Sequence, residues 1–243
     1  MGRTSRSIFF DIDGTLLDTT YLHTLAWWKA LGEAGHGRPM VEIHSLIGMG
    51  GSELLTTLLG FHDVSIEEAH GRHFDATHEM VRPFPGARET LRRVDEEGGN
   101  VILVSSSSER DLQFLVGAIG CDDVIRDVVH GDMADASKPS PDLFSVALER
   151  SGASPEDALA LGDAIWDVNA AAAAGIDCVA VESGGTDQSR LQWAGALAVY
   201  RGCSELLGRW GSSPIADLLR PGSRRASRSN LNTWSSTSRI RVK

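Results

Sequence analysis

The sequence predicts an α/β fold in which a doubly wound parallel sheet carries a helical segment inserted after its first strand. The first observation is an apolar run at residues 8–10, which ends in two aspartates. The second is the alternation of short apolar strands with helical patterns from Pro85 onward, typical of repeated βα units. The third is the stretch 18–84, where apolar residues recur at helical spacing and no strand pattern occurs.

Length, charge and cysteine content limit the possible classes of protein. The chain has 243 residues, 42% hydrophobic residues and a net charge of −10, which allows a sizeable core and argues against a nucleic-acid partner. Cys121, Cys178 and Cys203 are far apart and form no CxxC, so a reducing, cytoplasmic location is expected. The apolar run near the start is too short for a signal-peptide core, and no run is long enough to span a membrane. No sequence feature fixes an oligomeric state.

The end of the first strand places two carboxylates side by side. Asp11 and Asp13 are two residues apart, so in extended chain their side chains point the same way, and Gly14 then allows a sharp turn. Two like charges this close repel each other, and a divalent cation relieves the repulsion. Oxygen ligands suit Mg²⁺, whereas the alternative interpretation is a solvated turn after a strand.

The segment 18–84 is predicted to be an inserted helical unit. Helical patterns cover roughly 22–31, 41–47, 51–59 and 66–81. Ser65 and Glu68 have the spacing of a capping box at the start of the last of these helices. A simple crossover connection needs far fewer residues, so the unit is more than a link between two strands.

The remaining chain supplies the rest of the sheet. Further strands are predicted at 100–104, 124–129, 158–161, 176–181 and 197–200. Helices are predicted between them at 86–98, 109–119, 141–151 and 165–174, with a last helix around 204–210. Ligands of such sheets bind at the carboxyl ends of the strands, where Asp11, Ser105 and Asp163 all fall. This pattern gives a Rossmann-like core, formed by 1–17 and 85–220.

The last segment, 221–243, has a different composition. It contains six basic residues, no acidic residue and few apolar residues. We expect a disordered basic tail, which could be merely solvated or could touch an acidic partner.

Two polar signals follow predicted strands in the second half of the chain. Ser105 and Ser106 begin a run of four serines after a strand, where hydroxyls and free backbone N–H groups suit a phosphoryl oxygen. The serines could instead cap the helix that follows. Lys138 lies before a helix in a chain whose only other lysines are Lys29 and Lys243, which favours a specific role over a surface position.

A last pair of acids follows the strand at 158–161. Asp163 and Asp167 are four residues apart, so one helical turn brings both to the same point. The alternative is a pair of acids at a helix N-terminus, stabilised by the helix dipole.

Taken together, these four motifs resemble the haloacid dehalogenase superfamily. The sequence DIDGTLLD at 11–18, the strand ending in Ser105, the KPSP at 138–141 and the GDAIWD at 162–167 stand in the superfamily's order. The resemblance implies a Mg²⁺-dependent phosphatase of a small phosphorylated metabolite, with residues 18–84 forming a cap over the active site.

The resemblance also implies the role of each residue. Asp11 would be the nucleophile that forms an aspartyl-phosphate, and Asp13 the general acid/base. Asp11, the backbone carbonyl of Asp13 and Asp163 would hold Mg²⁺, while Asp167 would orient the metal shell or Lys138. Ser105, Ser106 and Lys138 would bind the transferring phosphoryl group.

The main alternative function is a sugar-phosphate mutase similar to β-phosphoglucomutase. His23 and Trp27 stand at offsets from the nucleophile that match such mutases. A mutase must also hold a second phosphate from the cap, normally with basic residues, and 47–53 contains none. Arg38, Arg72 and Arg82 could compensate in space. Dehalogenases and phosphonatases are disfavoured because they lack an acid at the position of Asp13.

Overall fold

A six-stranded parallel sheet forms the centre of the protein. The computed structural model describes residues 6–222, so the predicted tail lies outside the described residues from residue 223 onward. The strands are β1 (Ser7–Phe10), β2 (Asn100–Val104), β3 (Ile125–Val129), β4 (Ala158–Gly162), β5 (Asp177–Val181) and β6 (Ala198–Tyr200). Their order in the sheet is β3-β2-β1-β4-β5-β6, with every neighbouring pair parallel. This is the doubly wound, Rossmann-like order. The chain adds β2 and β3 on one side of β1 and then adds β4, β5 and β6 on the other side.

Helices cover both faces of the sheet and also form the segment after β1. The α-helices are α1 (Thr20–Glu33), α2 (Met40–His44), α3 (Gly51–Leu59), α4 (Val64–Asp75), α5 (Ala87–Glu96), α6 (Glu109–Ile119), α7 (Asp142–Ser151), α8 (Ile165–Ala173), α9 (Gln188–Ala194), α10 (Cys203–Gly208) and α11 (Pro214–Leu219). Short 3₁₀ turns occupy His78–Met80, Gly131–Met133, Pro155–Asp157 and Trp210–Ser212.

Alternation along the strands divides the core into two layers. Ile8 and Phe10 point to the face covered by α5, α6, α10 and α11, whereas Phe9 points to the face covered by α7, α8 and α9. All three side chains are fully buried. Burial on both faces explains why the central strands are continuous apolar runs.

The helices α1–α4 have a hydrophobic cluster of their own. Trp27 and Leu31 of α1 pack with Ile43 of α2, Leu54 of α3 and Ile66 of α4. These helices lie between β1 and β2 in sequence, in the stretch predicted as an inserted helical unit. We use the term helical unit for them below.

Two predicted details of the helical unit are wrong. The helix predicted at 66–81 ends at Asp75, and the His78–Met80 turn follows after Thr77, whose hydroxyl donates to the carbonyl of Phe74 at 2.7 Å. The predicted capping box is replaced by Asp63, which accepts the backbone N–H of Ser65 at 2.8 Å and begins α4 two residues earlier. The hydroxyl of Ser65 also donates to the carboxylate of Asp63, at 2.7 Å, so Ser65 serves the cap of Asp63 instead of forming one of its own.

The sequence prediction missed α9 and α11. The side chain of Asp187 accepts the N–H groups of Ser189 and Arg190 and so begins α9. Ser213 caps α11 in the same way, and Pro214 is its first residue. Both starts carry recognisable cap residues, but the helices are short and their periodicity is weak.

Within residues 6–222, no helix combines the length and apolar character needed to cross a membrane. The three cysteines are buried and free.

Candidate active site

The candidate site begins where β1 ends. The carboxylate of Asp11 is only 5% exposed, and its backbone N–H donates to the carbonyl of Leu161 on the neighbouring strand at 2.9 Å. Gly14 then turns the chain with φ 84°, a conformation that favours glycine. A Cβ at Gly14 would lie 2.5 Å from Oδ2 of Asp163, so the turn also needs a residue without a side chain.

Lys138 lies beneath Asp11, and its side chain has no solvent exposure. Its Nζ donates to Oδ1 of Asp11 at 2.5 Å and to the carbonyl of Val104 at 3.0 Å. Oδ1 of Asp167 lies 2.8 Å from the same Nζ. The compact ammonium thus lies between two carboxylates and one carbonyl. The planar guanidinium of an arginine could not contact all three groups with the same geometry.

Asp163 and Asp167 come from the end of β4 and the first turn of α8. The hydroxyl of Thr15 lies 3.0 Å from Oδ1 of Asp163 and 3.1 Å from Oδ2 of Asp11. Oδ2 of Asp167 accepts the backbone N–H of Ala164 at 3.0 Å. Asp167 is therefore held by the start of α8 and by Lys138. Its role of orienting the metal shell or the lysine stays a prediction.

Burial and mutual repulsion dominate the electrostatics of this cluster. Burial raises the pKa of Asp11 to about 7, although the positive charge of Lys138 opposes the rise. Burial and the charges of Asp11 and Asp167 raise the pKa of Asp163 well above its usual value. Burial alone would lower the pKa of Lys138, but Asp11 and Asp167 outweigh burial and raise it.

The same three carboxylates could hold a metal ion. Ligand oxygens of Asp11, Asp163 and Asp167 lie within 4.8 Å of one another, and all three side chains are buried. The chain also packs closely behind Asp163, because a Cβ at Gly184 would lie 1.7 Å from its Oδ2. Buried carboxylate oxygens that lie this close together repel one another and fit a hard divalent cation.

Asp13 lies in a different environment from Asp11. Its Oδ1 accepts from the Thr19 hydroxyl at 2.6 Å and lies 3.1 Å from Nε2 of His23, while its Oδ2 accepts from the Ser107 hydroxyl at 3.1 Å. Burial would raise the pKa of Asp13, but the charge of His23 and these hydrogen bonds outweigh it and lower the pKa to about 2. Asp13 is thus held as a carboxylate beside a histidine.

The contacts of His23 extend into the helical unit. Its Nδ1 lies 3.1 Å from Nε2 of His70 on α4, and its ring stacks on Phe74 at 3.9 Å. His70 in turn stacks on Trp27 at 4.1 Å. Burial, followed by the charge of His23, lowers the pKa of His70 well below its usual value. A chain of hydrogen bonds therefore links Asp13 to the wall of the helical unit.

The first three serines after β2 make different contacts. The buried hydroxyl of Ser105 accepts the N–H of Ser107 at 3.0 Å, and Ser106 donates to the carbonyl of Gly48 in the helical unit at 3.0 Å. The roles of Ser105 and Ser106 as phosphate ligands stay predictions. The sequence prediction missed Ser107, and nothing in a run of four serines distinguishes the one that reaches Asp13.

An open cleft of about 440 Å³ lies above these groups, between the sheet and the helical unit. Asp11 and Asp13 line it, with Ser106 and Ser107 beside them and His23 and other helical-unit residues opposite. The structure places Asp11, Ser105 and Asp163 at the carboxyl ends of neighbouring strands, as predicted. Asp13, Ser106, Lys138 and Asp167 lie at the same edge of the sheet. Thr15, Thr19 and His70 join them without having been predicted.

Comparisons with known proteins agree on one family. The family model described as haloacid dehalogenase-like hydrolase matches residues 6–175. A phosphoglycolate phosphatase of Pseudomonas syringae pv. syringae is 31% identical over 196 residues, which cover 75% of this chain and 71% of the relative. A phosphoglycolate phosphatase of Pseudomonas putida is 29% identical over 194 residues, with the same coverage.

Solved structures agree in fold. A hydrolase from Pseudomonas syringae superimposes with a TM-score of 0.81 and 33% identity, covering 86% of this chain and 99% of the other. A putative β-phosphoglucomutase from Bacteroides vulgatus has a TM-score of 0.79 and covers 89% of this chain and 91% of the other, but at 24% identity it supports only the fold.

Proposed function

The chain belongs to the haloacid dehalogenase-like hydrolases, and we propose that it is a Mg²⁺-dependent phosphatase that works through an aspartyl-phosphate. It is a phosphatase enzyme, and its substrate is a small phosphorylated molecule. The observation that carries the proposal is the setting of Asp11, a carboxylate at the floor of the cleft held 2.5 Å from the buried ammonium of Lys138. A cytoplasmic location stays a prediction from the cysteine pattern.

The carboxylates around Asp11 fit the metal that the family implies. Asp11, Asp163 and the backbone carbonyl of Asp13 would hold Mg²⁺, and Asp167 would remain engaged with Lys138 at 2.8 Å. When bound, the cation neutralises negative charge on the carboxylates and on the phosphoryl oxygens.

Asp11 acts as the nucleophile in the proposed reaction. One of its carboxylate oxygens forms a bond to phosphorus while the bond from phosphorus to the leaving oxygen breaks. Lys138 favours the ionised form of Asp11 and stabilises negative charge that develops on the transferring group. Ser105 and Ser106 end the neighbouring strand and would bind phosphoryl oxygens there.

Asp13 moves the proton that this reaction requires. The leaving oxygen needs a proton, and the water that later cleaves the aspartyl-phosphate must lose one. Asp13 is held as a carboxylate, so the proton that it passes to the leaving oxygen must first reach it from the His23 ring, whose Nε2 lies 3.1 Å from Oδ1 of Asp13. In the second half of the reaction Asp13 accepts the proton of the attacking water and returns it to His23.

The charge of the cleft supports hydrolysis over the mutase alternative. A mutase holds a second phosphate away from the nucleophile, which requires cations there. Arg38, Arg72 and Arg82 do not line the cleft, and Arg38 and Arg82 donate to backbone carbonyls instead. Among the residues described, Arg110 of α6 is the only arginine or lysine that lines it, and Arg110 pairs with Asp75.

The proposal is tested by hydrolysis of p-nitrophenyl phosphate with Mg²⁺ and after its removal with a chelator. We expect turnover with Mg²⁺ only, and an acid-stable, base-labile phosphoryl label on Asp11. Asp163→Ala should raise the Mg²⁺ concentration needed for half activity, whereas Asp122→Ala, at an exposed turn, should not. Full activity in the chelator, or an unchanged Mg²⁺ titration for Asp163→Ala, would contradict the proposed metal site.

A further inference from the structure

The lining of the cleft carries many negative charges besides the two aspartates after β1. Six acidic residues line the cleft in addition to Asp11 and Asp13, and they come from both the helical unit and the core: Glu53, Glu67, Glu68, Asp111, Asp132 and Asp135. Glu68, Asp132 and Asp135 are exposed, so their charges are in contact with solvent. We use the term acidic wall for these six residues.

Few positive charges oppose the acidic wall. Of the described arginines and lysines, only Arg110 lines the cleft, and its guanidinium forms an ion pair with Asp75. Lys138 lies below the cleft with no solvent exposure and is shared by Asp11 and Asp167. The positive charge of Lys138 therefore serves the phosphoryl site, and within the part of the chain that the structure describes no unpaired arginine or lysine lines the cleft beside the acidic wall.

Hydrogen bonds within the acidic wall do not remove its charge. Glu53 accepts the N–H of Ser137 at 2.9 Å, and Asp132 accepts the N–H of Glu109 at 2.8 Å. Donors of this kind are neutral, so they do not offset the negative charge of a carboxylate. Two acids of the wall also have ionisable partners: Glu67 lies 2.9 Å from Nε2 of His62, and Asp132 lies 3.6 Å from Nδ1 of His130.

A leaving group that reaches this wall must suit carboxylate oxygens. Hydroxyl and ammonium groups donate hydrogen bonds to carboxylates, whereas a second anion meets like charges and gains no cation. Unfavourable charge placed against a competing ligand is a common source of specificity. Trp27 and His70, stacked at 4.1 Å, line the same cleft and give a carbon skeleton an aromatic surface to contact.

We propose that the substrate is a phosphorylated polyol or amino alcohol whose leaving group carries no second anion. This inference rests on the proposed phosphatase function and narrows its substrate class. It separates the chain from its relatives named phosphoglycolate phosphatases, because phosphoglycolate carries a carboxylate on its leaving group.

Three phosphomonoesters with the same two-carbon skeleton test the proposal. 2-Hydroxyethyl phosphate ends in a hydroxyl, phosphoethanolamine in an ammonium and phosphoglycolate in a carboxylate. We expect kcat/KM for the first two to exceed that for phosphoglycolate by about tenfold or more at low ionic strength, with a smaller ratio in high salt. Equal or faster turnover of phosphoglycolate would overturn the inference and leave the phosphatase function intact.

Failure of the phosphatase proposal gives a different result. If none of the three esters and no p-nitrophenyl phosphate is hydrolysed with Mg²⁺ present, the proposed function fails and the inference fails with it.

Charge reversal in the acidic wall gives an independent readout. Glu68→Lys should raise kcat/KM for phosphoglycolate relative to 2-hydroxyethyl phosphate by several fold, since a cation then faces the carboxylate. The matched control is Glu42→Lys, which changes an exposed acid of α2 that does not line the cleft. An unchanged ratio in Glu68→Lys, or an equal change in both variants, would overturn the role of the acidic wall.

Discussion

The floor and the wall of the cleft are built in opposite ways. At the floor, Asp11, Lys138 and Asp167 are buried and each has more than one close polar partner. At the wall, acids such as Glu68 and Asp135 are exposed and lie on a helix surface or in a loop. Strand ends of a packed sheet fix the floor, whereas the helical unit supplies much of the wall.

This difference separates the chemistry of the reaction from the choice of substrate. A buried ion network tolerates little change, because removing one partner leaves another charge buried and unpaired. Exposed charges contribute little to stability, so they can change without loss of the fold. Substitutions at the floor should therefore reduce activity far more than substitutions at the wall. They should also have larger effects than substitutions at exposed contacts between the helical unit and the helices that cover the sheet.

The largest effect is expected at the floor, for Asp11→Asn. The amide keeps the shape of the side chain but loses the nucleophile and a negative charge beside Lys138. We expect a loss of kcat on the order of 10³-fold or more on any phosphomonoester, with a native circular dichroism spectrum. Retention of more than a tenth of the activity would remove Asp11 from its assigned role.

A smaller but severe effect is expected for Lys138→Arg. The positive charge is retained, but the wider guanidinium must displace Asp11, Asp167 or the carbonyl of Val104. A misplacement of about 1 Å can reduce the rate roughly 10²-fold, so kcat/KM is the measurement. Arg150→Lys on α7, at an exposed ion pair with Asp127, is the matched control and should be mild. A near-normal rate for Lys138→Arg would show that geometry at this position is unimportant.

The third prediction concerns stability and pH in the metal-free protein. The pKa of Asp11 is about 7 in the folded state and near 3.8 when unfolded, so the folded protein binds more protons between these values. Its free energy of unfolding should therefore fall as pH rises from about 4 to about 7. The pKa of Asp13, lowered to about 2, affects stability only below this range.

Thermal melts of the metal-free protein measure this effect. We expect Tm to fall by at least about 2 °C over the range, and saturating Mg²⁺ to restore it near neutral pH. Asp163→Asn should reduce the fall, because it removes one of the repelling carboxylates. A Tm that rises with pH in the metal-free protein would contradict the raised pKa values.

The smallest effect is expected at an ion pair between the helical unit and a helix that covers the sheet. Arg110 of α6 pairs with Asp75 of α4, and both side chains are partly exposed. Such pairs contribute about 1 kcal/mol or less, so Arg110→Ala should lower Tm by no more than about 4 °C. A larger fall would mean that this contact holds the helical unit against the sheet. The statement that exposed charges contribute little to stability would then be wrong for this protein.

Local patterns in the sequence predicted most of the fold. Each buried strand was found because central strands of a parallel sheet are apolar on both faces, and the aspartates after β1 and β4 marked the ends of the two neighbouring strands. The helix boundary at Asp75 and the short helices α9 and α11 were not found. Their ends depend on one or two side-chain hydrogen bonds each, which carry less signal in the sequence than periodicity.

The sequence by itself determined the candidate floor residues, since Asp11, Asp163 and Lys138 stand in recognisable motifs at strand ends or before a helix. Only the tertiary structure decided what surrounds them. His23 meets His70 across 47 residues, and the acidic wall gathers charges from segments far apart in the chain. Contacts of this kind arise when helices pack above a sheet edge, and no local spacing encodes which exposed side chains will then share one cleft.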